Sequence, residues 1–300
     1  MAASSERPLS ILDLLDDLPA TVSSRKVRLF VAACCRRVWP LLVDERSRQA
    51  VAAAEGFADG KIDRPDLIGA WTEAEAVWDH LGPEGAARTR PTPEMREAAC
   101  MVADAMMAFS FVQSAEAQRE AERGRAKAVA LLSRKLAAAG AASAAARPQA
   151  DRLQAEWEAA AAAAGAKGVP PLGADCDDDV FADDRLAEQY QRLAGAFEEE
   201  VRSRRPAALR AEQAFQHALF EDVFTAPDCA VDPDWLKWRD GAVPRLAREI
   251  YETHRFDRLP ELADLLQAAG CAEAGALSHC REGKYHVRGC WLLDLLLGQS

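Results

Sequence analysis

From Gln113 to Gly165 the chain is almost entirely alanine and charge, with runs such as Ala159–Ala164, and this stretch most constrains the fold. Alanine is the best helix former and a poor strand residue. No run of β-branched residues in period-2 alternation offsets it elsewhere. The expected class is therefore all-α, with short packed helices at both ends joined by long alanine-rich helices in a hairpin or bundle.

Helical punctuation supports that expectation. Ile11–Leu18 forms a short amphipathic segment closed by Pro19. Ser23 and Ser24 offer an N-cap for a helix running to about Trp39, with Val27, Phe30, Val31, Cys34 and Val38 in one apolar stripe. Asp44 caps a helix over Glu45–Ala58 that stops at Gly60, and another runs from Arg64 to Leu81. A long helix is expected from Pro93 to about Ala142, followed by a second from Pro148 to about Gly165, the two forming an antiparallel hairpin. After an acidic loop at Asp175–Asp184 come helices over Asp184–Arg204 and on from Pro206 to Phe224. The remainder divides into short helices over Trp235–Trp238, Val243–Thr253, Leu259–Ala269, Glu273–Arg281 and His286–Leu297. The expected divisions are an N-terminal helical subdomain (1–90), the alanine-rich hairpin (91–168), the acidic loop (169–183) and a C-terminal helical subdomain (184–300).

Charge and composition narrow the function classes. Lys and Arg number 37 against 48 Asp and Glu, a net −11, which repels nucleic acid and anionic lipid. The apolar runs Leu29–Cys35 and Trp291–Leu297, the second broken by Asp294, fall far short of the ~20 residues a bilayer needs. Acidic Asp13, Asp16 and Asp17 stand where a secretory signal would be apolar. The eight cysteines contain no CxxC pair, so reduced thiols in the cytoplasm are the expectation.

Two stretches resemble a known family. Near the N-terminus are Leu29-Phe30, Ala33-Cys34-Cys35-Arg36-Arg37-Val38-Trp39 and Asp44-Glu45-Arg46-Ser47-Arg48. Near the C-terminus are Leu262-Ala263-Asp264, Ala269-Gly270-Cys271, His279-Cys280-Arg281, His286-Val287-Arg288-Gly289-Cys290-Trp291 and Asp294-Leu295-Leu296-Leu297-Gly298. Together they are similar to a family of proteins from planctomycete-type bacteria that pairs an LRLFACACCRRIW…DERSR opening with a PILADALEEAGC…HCR…HVRGCWVVDLLLG close. The resemblance covers about a third of the chain, at its two ends, and implies no activity and no catalytic residues.

Two constellations carry possible chemistry. Cys271, His279, Cys280, His286 and Cys290 are the ligand types zinc prefers, though their spacing fits no standard finger. The same cysteines also suit small core positions. A Cys290–His286 nucleophile pair is a further alternative, with Cys290 opening an apolar helix. Arg25, Lys26, Arg28, Arg36, Arg37, Arg46 and Arg48 form a local basic patch. It suits phosphate or nucleic-acid contact, or internal pairing with surplus carboxylates. The acidic loop fails the calcium-loop pattern, because Val180 and Leu186 stand where glycine and glutamate are required. With no catalytic motif evident, the expected function is a non-enzymatic helical interaction or scaffold module. Its partner would be another protein or a second copy, with no membrane partner and no cofactor unless zinc.

Overall fold

The computed structural model describes residues 10–80, 92–110, 115–166, 170–172, 184–227, 229–283 and 285–299, with backbone alone at 78–80, 93, 107–110, 115 and 116. Most of the acidic loop lies outside these residues. Among the described residues the chain is all-α, without strands, and no helix is long and apolar enough to cross a membrane.

The N-terminal helices start where their caps predict. In α1 (Ile11–Asp16) Ser10 and Asp13 exchange side-chain and backbone hydrogen bonds in a capping box. Ser23 caps α2 (Ser24–Arg37) and Asp44 caps α3 (Glu45–Ala58), each accepting a backbone N–H. Then follow α4 (Arg64–His80) and α5 (Pro93–Ser110), with α4 packed on both α3 and α5.

The stripe expected on α2 is much wider in the structure. Leu29 to Cys35 are consecutively buried, so α2 is enclosed nearly all round. A helix hydrophobic on every side belongs at the centre of a core.

Prolines interrupt the long helices less than the sequence suggests. α6 (Ala115–Ala163) passes through Pro148, and α7 (Asp184–Phe224) passes through Pro206. A proline removes one backbone hydrogen bond but presets a helical φ, and the good helix formers around Pro148, Ala146 and Arg147 before it and Gln149 and Ala150 after it, favour continuation. The chain divides into two compact units, residues 134–212 and the combination of 1–133 with 213–300. In the smaller unit the hairpin partner of the distal α6 is α7, not a second half of α6. Leu153, Trp157 and Ala161 bury against Leu186, Tyr190 and Leu193. Trp157 meets Tyr190 edge-on at 5.2 Å and donates its indole N–H to Pro170 O.

In the larger unit the C-terminal elements form one core. They are α8 (Pro233–Thr253, broken by left-handed backbone at Arg239–Gly241), α9 (Leu259–Ala268), α10 (Ala274–Arg281) and α11 (Trp291–Leu297). Ile250, Tyr251, Leu259, Leu262, Leu266, Trp291 and Leu293 meet there. α11 begins five residues later than the helix expected from His286, so His286 lies on a connecting segment.

Buried charge joins the two chain ends. The Arg25 guanidinium donates to both Asp294 oxygens at 2.8 and 2.9 Å, to the Tyr251 hydroxyl at 2.7 Å and to Gln299 at 2.8 Å. It also donates to Asp59, which accepts the Tyr251 hydroxyl at 2.7 Å as well. Asp59 and Asp294 have 0 and 3 % of their side chains exposed, so neither has water to fall back on. Breaking a buried pair from one side typically costs 3–5 kcal/mol. Arg25→Met should therefore lower the unfolding free energy by about 3–5 kcal/mol in urea titrations.

Glu55 forms a second node with Arg36, with His254 at 3.3 Å and with Arg288 at 3.4 Å. Burial raises its pKa, but the hydrogen bonds and charges of Arg36 and His254 outweigh it, bringing the carboxyl to about 2 from an ordinary 4.5. A depressed native value means the contribution is present above 4.5 and lost as pH falls toward about 2. Acid unfolding of the native chain should steepen across that window, and Glu55→Gln should remove that part of the slope.

Candidate metal centre

Four groups from four elements of the C-terminal region converge on one point. Asp222 comes from the last turns of α7 and His279 from the last turn of α10. His286 sits on the segment between α10 and α11, and Cys290 is the N-cap residue of α11. One ligand atom from each lies within 4.8 Å of all the others. Ligands arranged tetrahedrally around zinc stand roughly 3.3–3.8 Å apart, from bond lengths of ~2.0–2.3 Å. The cluster thus needs only small side-chain shifts to close on an ion.

Its contacts do not form a nucleophile relay. His279 Nε2 lies 3.2 Å from Cys290 Sγ and 3.2 Å from Asp222 Oδ1. A Cys–His–carboxylate relay needs the two ring nitrogens to serve the two partners separately. Here one nitrogen faces both, and a single proton cannot satisfy sulfur and carboxylate together. His286 Nδ1 lies 2.7 Å from the same Asp222 Oδ1, and Asp222 Oδ2 accepts the Val287 N–H.

The electrostatics agree. Burial, with the nearby Asp222 charge, pushes the Cys290 thiol well above its ordinary value. Reactive cysteines require the opposite shift. A divalent cation reverses this situation, because a coordinating thiol is deprotonated by the ion's own field. Asp222 is itself buried, which raises its pKa, but hydrogen bonds from His279 and His286 hold it below the ordinary carboxylate range. Two imidazoles, a thiolate and a carboxylate neutralise a divalent ion overall, and all four donor types suit zinc. A cavity of about 560 Å³, lined in part by His217, Phe220, Ser278 and Trp291, reaches the cluster at Asp222 and His279.

Of the five residues expected from the sequence, the structure brings together His279, His286 and Cys290. Cys271 and Cys280 pack instead in the hydrophobic core of α8–α11, where burial pushes the Cys280 thiol up to about 12. The fourth donor, Asp222, stands 57 positions before His279. Its signal in the sequence was an acidic residue between Phe220 and Val223, on the apolar side of its helix. Cys34 and Cys35 are buried in α2, outside the cluster.

The basic patch is largely paired. Arg25 meets Asp59 and Asp294, Lys26 meets Asp294, and Arg28 meets the buried Glu122. Arg36 meets Glu55, Arg46 meets Asp44 and Arg48 meets Glu45, while Arg37 lies 4.6 Å over the Phe215 ring. The chain matches no protein-family model, no curated protein and no solved structure.

The segment carrying Cys290 depends on Gly289. Its φ of +90° favours glycine, and a Cβ there would stand 3.2 Å from Leu29 Cβ and 3.1 Å from Leu29 Cδ1. Lys26 Nζ donates to Gly289 O at 2.7 Å, fixing the peptide beside Cys290. Gly289→Ala should destabilise the protein by about 1–3 kcal/mol, from backbone strain of that order. It should also move Cys290, so zinc affinity measured by chelator competition should fall with it.

Proposed function

We propose that this protein is a helical scaffold whose C-terminal core is organised around a zinc ion held by Asp222, His279, His286 and Cys290. The observation that carries this is the convergence of four ligand atoms within 4.8 Å, with one histidine nitrogen facing both sulfur and carboxylate. Four protein donors close a tetrahedral shell, which is the pattern of structural zinc sites. The ion would cross-link the end of α7 to the start of α11, elements that sequence alone leaves far apart. The two-helix unit of residues 134–212 would provide surface for another protein or a second copy. Phosphate or nucleic-acid binding through Arg25–Arg48 is less well supported, because six of those seven side chains already meet carboxylates.

Elemental analysis of the purified chain should find about one zinc per molecule, and removing it with a chelator should lower Tm. Cys290→Ser and His279→Ala should each weaken zinc binding by more than about 100-fold, since losing a ligand costs more than the 10–100-fold loss typical of supporting residues. Absence of stoichiometric zinc, with no response of Tm to added zinc, would refute the metal assignment. A strictly monomeric mass with no co-purifying chain would count against the scaffold role.

A further inference from the structure

His286 faces two ways. Its Nδ1 points to Asp222, yet its Nε2 is buried and has no hydrogen-bond partner, in a side chain only 4 % exposed. Histidines that bind a metal almost always donate their other ring N–H to a carboxylate, a carbonyl or water. On the proposed metal assignment, an ion at Nδ1 leaves the ring proton on Nε2. The protein supplies no acceptor for it among the described residues.

His286 also lines a second cavity, of about 380 Å³, which shares Tyr285 with the one that reaches Asp222 and His279. Leu29, Phe215 and Val287 give this cavity apolar walls, and Arg36 and Arg288 give it guanidinium groups. Those two arginines share Glu55, the sole carboxylate among the lining residues, with Arg288 also 4.0 Å from Asp59. The adjoining carboxylates Asp59 and Asp294 are matched one for one by Arg25 and Lys26, so they do not offset the excess. Pockets of this size that combine apolar walls with a few convergent polar groups are the usual sites for small ligands.

We infer that this cavity binds a small carboxylate with an apolar body, of about the size of benzoate. Its carboxylate accepts the His286 Nε2–H and the excess guanidinium charge, while its body lies against Leu29, Phe215 and Val287. The ligand thereby completes the outer shell of the zinc site, and this part rests on the metal assignment. Metal and carboxylate then bind cooperatively, each raising the affinity of the other by the same factor.

The test measures zinc affinity by chelator competition with and without benzoate, and benzoate affinity by calorimetry on zinc-loaded and zinc-free protein. Reciprocal strengthening of about tenfold is expected, the lower end of what outer-shell partners supply. Benzamide, which has the same shape without the charge, should bind at least about tenfold more weakly, since bonds to an ionised acceptor are about twice as strong. Ala33→Leu, which fills the cavity from α2, should abolish benzoate binding and leave zinc binding in place. If that variant unfolds by circular dichroism, the benzamide comparison on the native chain decides. Zinc binding without benzoate binding would overturn the carboxylate site and leave the metal assignment standing. Equal benzoate affinity with and without zinc, or preference for inorganic phosphate or benzamide, would also overturn it. Failure to bind zinc would remove the metal assignment itself, and the coupling with it.

Discussion

A single buried guanidinium holds the larger unit together. Arg25 enters the core from the first turn of α2 and meets Asp59 at the end of α3, Tyr251 near the end of α8, and Asp294 and Gln299 in and after α11. Every one of these partners has lost most of its water, so the arrangement is all or nothing. Removing one member strands the others, while the complete set tolerates little displacement. Buried ion pairs often add little net stability, but their directional bonds can favour one packing over its neighbours. Here that direction comes from Arg25's planar fork, which reaches two carboxylates and a phenol at once.

The candidate metal centre inherits its geometry from this pairing. Asp294 lies four residues after Cys290, and its N–H donates to Cys290 O at 3.0 Å. Lys26 meets Asp294 at 2.7 Å and also holds the Gly289 carbonyl. Neighbouring cations of α2 therefore fix both the first turn of α11 and the peptide that presents Cys290. α10 supplies His279 beside Trp291, with the rings 4.7 Å apart. The site lies where an N-terminal helix has positioned a C-terminal segment.

Charge in the molecule is arranged in two ways. The global −11 is spread over exposed carboxylates, whereas the interior concentrates cations around Glu55, Asp59 and Asp294. A basic patch in sequence thus becomes an internal clamp in space. His286 stands between that clamp and the candidate metal set, with its Nδ1 on Asp222 and its ring on the wall of the arginine-lined cavity.

Much of the fold was legible in the residues themselves. Alanine content and 3.6-residue periodicity determined the helical class, and the caps at Ser23 and Asp44 determined where α2 and α3 begin. The cap, its bonded N–H and the first turn are separated by two or three residues, so local chemistry suffices. The concentration of cysteine and histidine near the C-terminus likewise marked the region of the site, but not its members. Cys271 and Cys280 are chemically equivalent to Cys290 in sequence, and packing alone turns them into the core. Asp222 joins because α7 happens to end against α10, and His286 leaves the helix expected for it because Gly289 adopts a left-handed backbone close to Leu29. Such choices depend on which faces meet across tens or hundreds of residues, where periodicity carries no information. The sequence determined which segments are helices; only tertiary packing decided which polar groups share a buried point, because burial is what obliges them to find each other.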